Sequence, residues 1–418
     1  MGTSLGCGRK SPDCRVRNIW GPGKPEFSFC RARFGMNERR TMKIQNLPTP
    51  CYVIYEGQLR KNLEILKALR EETGCRILLA QKAFSCFYEY SMIGEYLDGT
   101  AASGLFEARL GHEEMGKETH IFAPAFKDAE FGAVTDICSH VVFNSFAQLE
   151  KYHKVCEKKG VNVGIRVNPE CSTQGDHAIY DPCAPGSRLG VTIKNFKEEW
   201  LPKISGIHFH TLCEQNSDAL ERTLLAVEEK FGAYLRSGHI KWLNMGGGHH
   251  ITRADYDLDT LKRCIRRMQD TYGVTVYLEP GEAVALNAGC LVTEVMDIVE
   301  NGVTTLILDA SAACHMPDVL EMPYRPPLRD SGLPREKSCE YRLSSCTCLA
   351  GDVIGDYSFD HEIHVGDRLY FEDMAIYSMV KNNTFNGICL PSIAVLHENG
   401  DCEVIKSFGY EDFKMRLS

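Results

Sequence analysis

The stretch "CRILLAQKAF", Cys75 to Phe84, decides how the chain is read. Four apolar residues, Ile77 to Ala80, are followed at once by Gln81 and Lys82. A short, continuous apolar run reads as a strand covered on both faces, the kind that parallel sheets produce. A lysine at its end either marks the exit into solvent or is aimed by the strand at a purpose. The surrounding pattern favours the second. "CYVIY" reads as a strand, and "EGQLRKNLEILKALREET" carries Leu59, Leu63, Leu66 and Leu69 at helical spacing. Strand-like "RILLAQK", "GTAAS", "HIFAP", "HVVFN", "VNVGIRVN", "ISGIHFHT", "IKWLNMGGG" and "VTVYLEPGE" then alternate with helical stretches. That rhythm is an α/β fold, a (β/α)8 barrel over 56–289. A doubly wound open sheet is the alternative, but no GxGxxG follows the first strand.

After about Cys290 the pattern becomes β-rich. "LVTEVMDIVE", "TTLILDAS", "YRLSSCTCL" and "DRLYFEDM" are strand-like, with no long amphipathic helix between them. A C-terminal β domain over 290–418 is expected, joined by the strand in 42–55. Residues 1–41, Arg-rich and without period, read as a disordered tail, a transit-like segment or translated sequence upstream of the true start, with Met42 favoured as the natural start. "MGTSLG" lacks the hydroxyl residue that myristoylation needs at its sixth position.

With 418 residues, 44% hydrophobic and 25% charged, the composition is that of a globular protein, and a net charge of -9 offers no footprint for nucleic acid. No apolar run is long enough to span a membrane. The 19 cysteines lack a framework spacing and are expected as reduced, cytoplasmic thiols. "CTC" at 346–348 lacks the CxxC spacing of a zinc site, and adjacent His249 and His250 make a poor chelate, so no metal is expected.

Barrel chemistry gathers where strands end at their C-terminal face. Those ends carry Lys82, Arg166, His210, Gly246, Gly247, Gly248, Glu279 and Glu282. A lysine amine can join an aldehyde cofactor, glycines let backbone N–H groups approach a phosphate, a carboxylate can keep a pyridine nitrogen protonated, and a histidine can lie flat on the ring. These are the parts needed for pyridoxal 5'-phosphate.

"LLAQKAF", "GIHFHTLCEQ", "LNMGGGHH", "LEPGEA", "CTCLAGDVIGDY" and "MAIYSMVKNNTFNG" together resemble the fold-type III pyridoxal phosphate decarboxylases, from about Met42 to the C-terminus. The resemblance implies that Lys82 bonds the cofactor, His210 stacks on its ring, Gly246 to Gly248 face its phosphate, Glu279 partners its nitrogen, and Arg166 and Tyr377 lie beside it. It implies that Cys348 donates a proton, and that Cys348 and Asp352 reach across a homodimer with shared sites, Asp352 toward substrate. "SSCTCLAGD" stands where relatives commonly place Gly-Pro before Thr-Cys.

Relatives acting on ornithine, arginine or diaminopimelate typically read Glu-Pro-Gly-Arg, whereas this chain reads "EPGE". Glu282 therefore favours a substrate with extra ammonium groups and repels a second carboxylate. The resemblance adds Asp318 as a second substrate carboxylate. The expected reaction is decarboxylation of carboxynorspermidine or carboxyspermidine in polyamine biosynthesis. The rivals are decarboxylation of a simpler diamino acid, a racemase, which would set arginine against the pyridine nitrogen, and a non-catalytic relative, which would lose the lysine or glycines.

Overall fold

The computed structural model describes residues 41–175 and 178–418. The expectation for 1–41 lies outside the described residues apart from Thr41. Two strands precede the barrel, β1 (Thr41–Met42) and β2 (Cys51–Tyr55). Helix Glu56–Thr73 follows, burying Leu59, Leu63, Leu66 and Leu69 and ending on Gly74 at φ 68°, where a side chain would be strained.

Eight parallel strands then close a barrel. They are β3 (Arg76–Ala80), β4 (Gly99–Ala102), β5 (Glu118–Phe122), β6 (His140–Phe143), β7 (Asn162–Arg166), β8 (Gly206–His208), β9 (Trp242–Asn244) and β10 (Thr275–Leu278). Closure is made by Tyr277 beside Arg76 and Leu278 beside Ile77. The expected (β/α)8 architecture is present with one departure. Between β7 and β8 the chain forms short 3-10 turns in place of a helix, the last of them, Glu198–Lys203, containing Pro202. Prolines and glycines, Pro182, Pro185, Gly186 and Gly190 among them, break any helical period there.

After the short helix Glu282–Ala285 the chain enters a mixed sheet of nine strands. Its members are β1, β2, β11 (Gly289–Glu300), β12 (Thr304–Leu308), β13 (Cys339–Ser345), β14 (Val353–Phe359), β15 (Arg368–Glu372), β16 (Ser392–Leu396) and β17 (Cys402–Lys406). The long β11 is central, pairing antiparallel with β2, β12 and β15. β2 also lies parallel to β16. From Thr41 the chain thus runs first in the sheet, then through the barrel, and returns to the sheet. Among the described residues no helix is long and apolar enough to cross a membrane, and sixteen cysteines are free thiols.

Candidate active site

A cavity of about 1690 Å³ opens over the C-terminal ends of the barrel strands and is walled on one side by segments of the sheet region. Lys82, Arg166, His210, Gly247, Gly248, Glu279, Glu282, Asp318 and Tyr377 all line it, whereas Gly246, Cys348 and Asp352 do not.

Lys82 follows β3 in a turn fixed by its neighbour. Gln81 is fully buried, its amide donating to the Glu107 carbonyl at 2.9 Å and its carbonyl oxygen accepting from Tyr90 Oη at 3.0 Å. Gly281 of "EPGE" lets the end of β10 close on this turn, since a Cβ there would crowd Ala80 and Ala83. Lys82 reaches the solvent of the cavity while protein encloses it. Burial, reinforced by the Arg166 charge, lowers its ammonium pKa, which favours a nucleophilic amine.

Glu279, the first residue beyond β10, accepts from Asn244 Nδ2 at 2.7 Å and lies 3.3 Å from His208 Nε2. Burial alone would raise its pKa, but His208 and the two hydrogen bonds outweigh it and bring the carboxyl to about 2. It stays ionised across the working range. His210 Nδ1 accepts the Gly247 N–H at 2.9 Å, so any ring proton sits on Nε2. Burial and the cations Lys82 and Arg166 hold its pKa well below normal, leaving a neutral ring. Arg166 donates to the His210 carbonyl at 3.0 Å, and its guanidinium lies 4.5 Å from the Phe122 ring centre.

The glycine triplet serves packing as well as access. A Cβ on Gly246, Gly247 or Gly248 would overlap the backbone of Phe209, Glu279 or Leu212 respectively, and Gly246 and Gly248 take φ of 70° and 79°. The Gly246 N–H is already given to Asn244 Oδ1 and the Gly247 N–H to His210. Gly248 is left as the member of the triplet with an N–H uncommitted among the described residues. The triplet thus presents a shaped, side-chain-free surface beside Glu279 and His210.

Tyr377, at the strained φ of 50°, donates its backbone N–H to the Ala83 carbonyl at 2.9 Å and so ties the sheet region to the Lys82 turn. Asp318 stands at the cavity already paired with Lys381, which also lies 2.7 Å from Glu321. Asp352 lies away from its own chain's cavity. It is buried and accepts from the hydroxyls of Ser311, Ser345 and Thr347 at 2.6–2.7 Å and from the amides of Ala312 and Ala313. These five donors tie the carboxylate to the loop that presents Cys348. Ser345 Oγ accepts the Thr347 N–H and Asn386 Oδ1 the Cys348 N–H, which supplies the loop's geometry without Gly-Pro. Cys348 is exposed.

Sequence reasoning missed His208 and Asn244, which position Glu279. Both sit two residues before a recognised position, His210 and Gly246, and the same-face spacing of strand residues was the available signal.

The family description "Pyridoxal-dependent decarboxylase, C-terminal sheet domain" matches residues 51–375. The chain belongs to the pyridoxal-dependent decarboxylase family. Within this family it is 42% identical over 386 residues to a carboxynorspermidine/carboxyspermidine decarboxylase of Campylobacter jejuni, covering 90% of this chain and all of that one. It is 41% identical to a carboxyaminopropylagmatine decarboxylase of Synechocystis, covering 92% and 99%. The crystal structure of a Campylobacter jejuni carboxynorspermidine decarboxylase complexed with norspermidine superposes with a TM-score of 0.82 at 41% identity, over 88% of this chain and all of that one. This decarboxylase therefore shares its fold with the Campylobacter jejuni enzyme over most of its length.

Proposed function

We propose that the chain binds pyridoxal 5'-phosphate at Lys82 and decarboxylates carboxynorspermidine, carboxyspermidine or both. The observation that carries the reading is one cavity in which Lys82, His210 and Glu279 converge while Glu282 and further carboxylates line the remainder. A cofactor fits the site on this chain's own features: the glycine surface would be filled by any Cβ, and a neutral His210 presents its ring. When bound, pyridoxal phosphate supplies an electron sink for the pair left behind as CO₂ departs. Lys82 would offer the amine that holds the cofactor aldehyde. Glu279, kept ionised by His208 and Asn244, holds a proton on the pyridine nitrogen. His210 orients the ring face, Gly246 to Gly248 leave space for the phosphate, and Arg166 and Tyr377 border the ring. Glu282 attracts the cationic tail. Asp318 does so in competition with Lys381.

Cys348 gives the proton that replaces CO₂. Its place outside its own chain's cavity supports delivery to a neighbouring subunit, in a homodimer with shared sites. Mixing Lys82→Ala and Cys348→Ala chains should then restore activity through one intact hybrid site. No recovery despite confirmed subunit exchange would remove the shared-site assignment. Free thiols fit a reducing, cytoplasmic setting.

A second reading, decarboxylation of a carboxylated aminopropylagmatine, is favoured by the Synechocystis relative. Release of CO₂ from the two carboxylated triamines, carboxyaminopropylagmatine and diaminopimelate, compared as kcat/KM, separates the readings. The triamines are expected to lead. A preference for diaminopimelate would defeat the proposal.

A further inference from the structure

The exposed Cys348 stands on a loop that two separate anchors hold. One is Asp352, which accepts the Thr347 hydroxyl at 2.6 Å and the Ala313 N–H at 3.2 Å. The other is Asn386, whose Oδ1 accepts the Cys348 N–H at 2.9 Å. Among the described residues no other hydrogen bond reaches Cys348. Asn386 belongs to the turn 385–388, closed by the Ile388 N–H on the Phe385 carbonyl at 3.2 Å. Its φ of 58° and ψ of 14°, followed by φ 72° at Gly387, are the positive pair that a type I′ turn uses. The turn is fixed in its own right. Phe385 gives its N–H to Asn383 Oδ1 at 2.9 Å, and Asn383 Nδ2 donates to the Ala313 carbonyl at 2.8 Å. Ala313, in the short helix Ala312–His315, therefore supports both anchors: Asp352 through its N–H, and the turn that carries Asn386 through its carbonyl.

A type I′ turn favours Asn-Gly for its backbone alone. That preference leaves the side chain unexplained, because glycine suits the same left-handed position at least as well. What asparagine adds here is an acceptor aimed at Cys348.

We propose that Asn386 is a positioning residue for the proton transfer that follows loss of CO₂, holding the Cys348 peptide so that its thiol meets the carbon that CO₂ has left. The inference rests on the assignment of Cys348 as proton donor and deepens it. In this reaction the bond from that carbon to the carboxylate breaks and leaves its electron pair behind. The S–H bond of Cys348 then breaks, its proton forms a C–H bond with that pair, and the thiolate regains a proton from water. Asn386 does not line its own chain's cavity and acts through the Cys348 peptide. A thiol whose backbone has lost its one tether can swing, and a misplacement of about 1 Å can cost about 10²-fold. Departure of CO₂ comes before the thiol is needed, so Asn386 should leave that step alone.

Two substitutions separate the side chain from the turn. Asn386→Gly keeps the left-handed backbone and removes the acceptor, whereas Asn386→Asp keeps an acceptor oxygen on a residue that also tolerates this conformation. Cofactor-loaded enzyme is given a single turnover of carboxynorspermidine labelled in its carboxylate, and labelled CO₂ and norspermidine are followed separately. Asn386→Gly should form norspermidine about 10- to 100-fold more slowly than wild type while releasing CO₂ at the wild-type rate. Amide hydrogen exchange at Cys348, read on the same protein without substrate, should speed up in Asn386→Gly. Asn386→Asp should return both readouts close to wild type. Wild-type norspermidine formation in Asn386→Gly, an equal slowing of CO₂ release, or no rescue by Asn386→Asp would overturn the positioning role. Cys348→Ala is the reference that keeps the two assignments apart. If it forms norspermidine as fast as wild type, the donor assignment itself falls; if it is slow while Asn386→Gly is fast, Asn386 alone is removed from the account.

Discussion

The two ends of the barrel are built from the same residue types and do different things. At the mouth, Glu279 meets His208 and Asn244. At the base, Glu118 lies 3.2 Å from both His120 Nε2 and Tyr277 Oη, and it pairs with Arg76. His120 stacks on His140 with ring centres 3.9 Å apart, and Trp242 fills the space that Gly164 and Gly206 leave open, since a Cβ on either would overlap its indole. The base even meets a metal-like spacing, with Glu118, His120 and His140 offering atoms within 4.8 Å. Its carboxylate is nevertheless already paired with Arg76, and none of the three residues lines the cavity over the strand ends. The mouth keeps an ionised carboxylate next to an open volume, with a lysine whose pKa is lowered. A polar cluster becomes a site where charge is left unneutralised beside space for a ligand; elsewhere the same cluster is packing.

This contrast can be broken by substitution at each end. Glu279→Gln should have the largest effect, lowering kcat by about 10²- to 10³-fold while the fold persists, as expected when an electrostatic partner of the developing charge is lost. A variant with wild-type kcat would place Glu279 with the base cluster, as structure only. Glu282→Gln should follow. A lost carboxylate–ammonium hydrogen bond costs about 1.5–3 kcal/mol, or roughly one to two decades in kcat/KM. Asp318→Asn should cost less, under about tenfold, because Lys381 already neutralises that carboxylate. If Asp318→Asn proved the more damaging, the cationic tail would be read beside Lys381 and not at Glu282.

The base should respond to pH in stability and not in turnover. Burial first, then His120 and Arg76, depress the His140 pKa to about 2, and burial brings His120 to about 4. Depressed histidines stabilise the fold above their unfolded pKa of about 6.5 and lose that contribution as pH falls toward the folded values. His140→Phe, which keeps an aromatic ring, should shrink the stability lost between pH 6.5 and 4.5 by about 1.4 kcal/mol per pH unit. Denaturant unfolding at several pH values reads this, with kcat/KM at neutral pH unchanged. A large fall in kcat would mean that the base takes part in the chemistry.

Much of the barrel was legible because buried parallel strands are continuous apolar runs, as in "RILLA" and "HVVF". The segment before β8 was not, since its 3-10 turns have no period. Nor were β14, β16 and β17 singled out, being short strands of mixed character. Lys82, His210 and Glu279 could be read from strand ends, where direction follows from the fold. Pairings between distant segments could not. Nothing local shows that Asp352 is saturated by Ser311, or that Asp318 is paired with Lys381 63 residues away.

The central claim is that the mouth of the barrel holds the cofactor through Lys82. Borohydride reduction of the cofactor-loaded protein, followed by peptide mapping, measures it directly. The pyridoxyl label is expected on Lys82, in the peptide that includes "AQKAF". A label on any other lysine, with Lys82 unmodified, would contradict it.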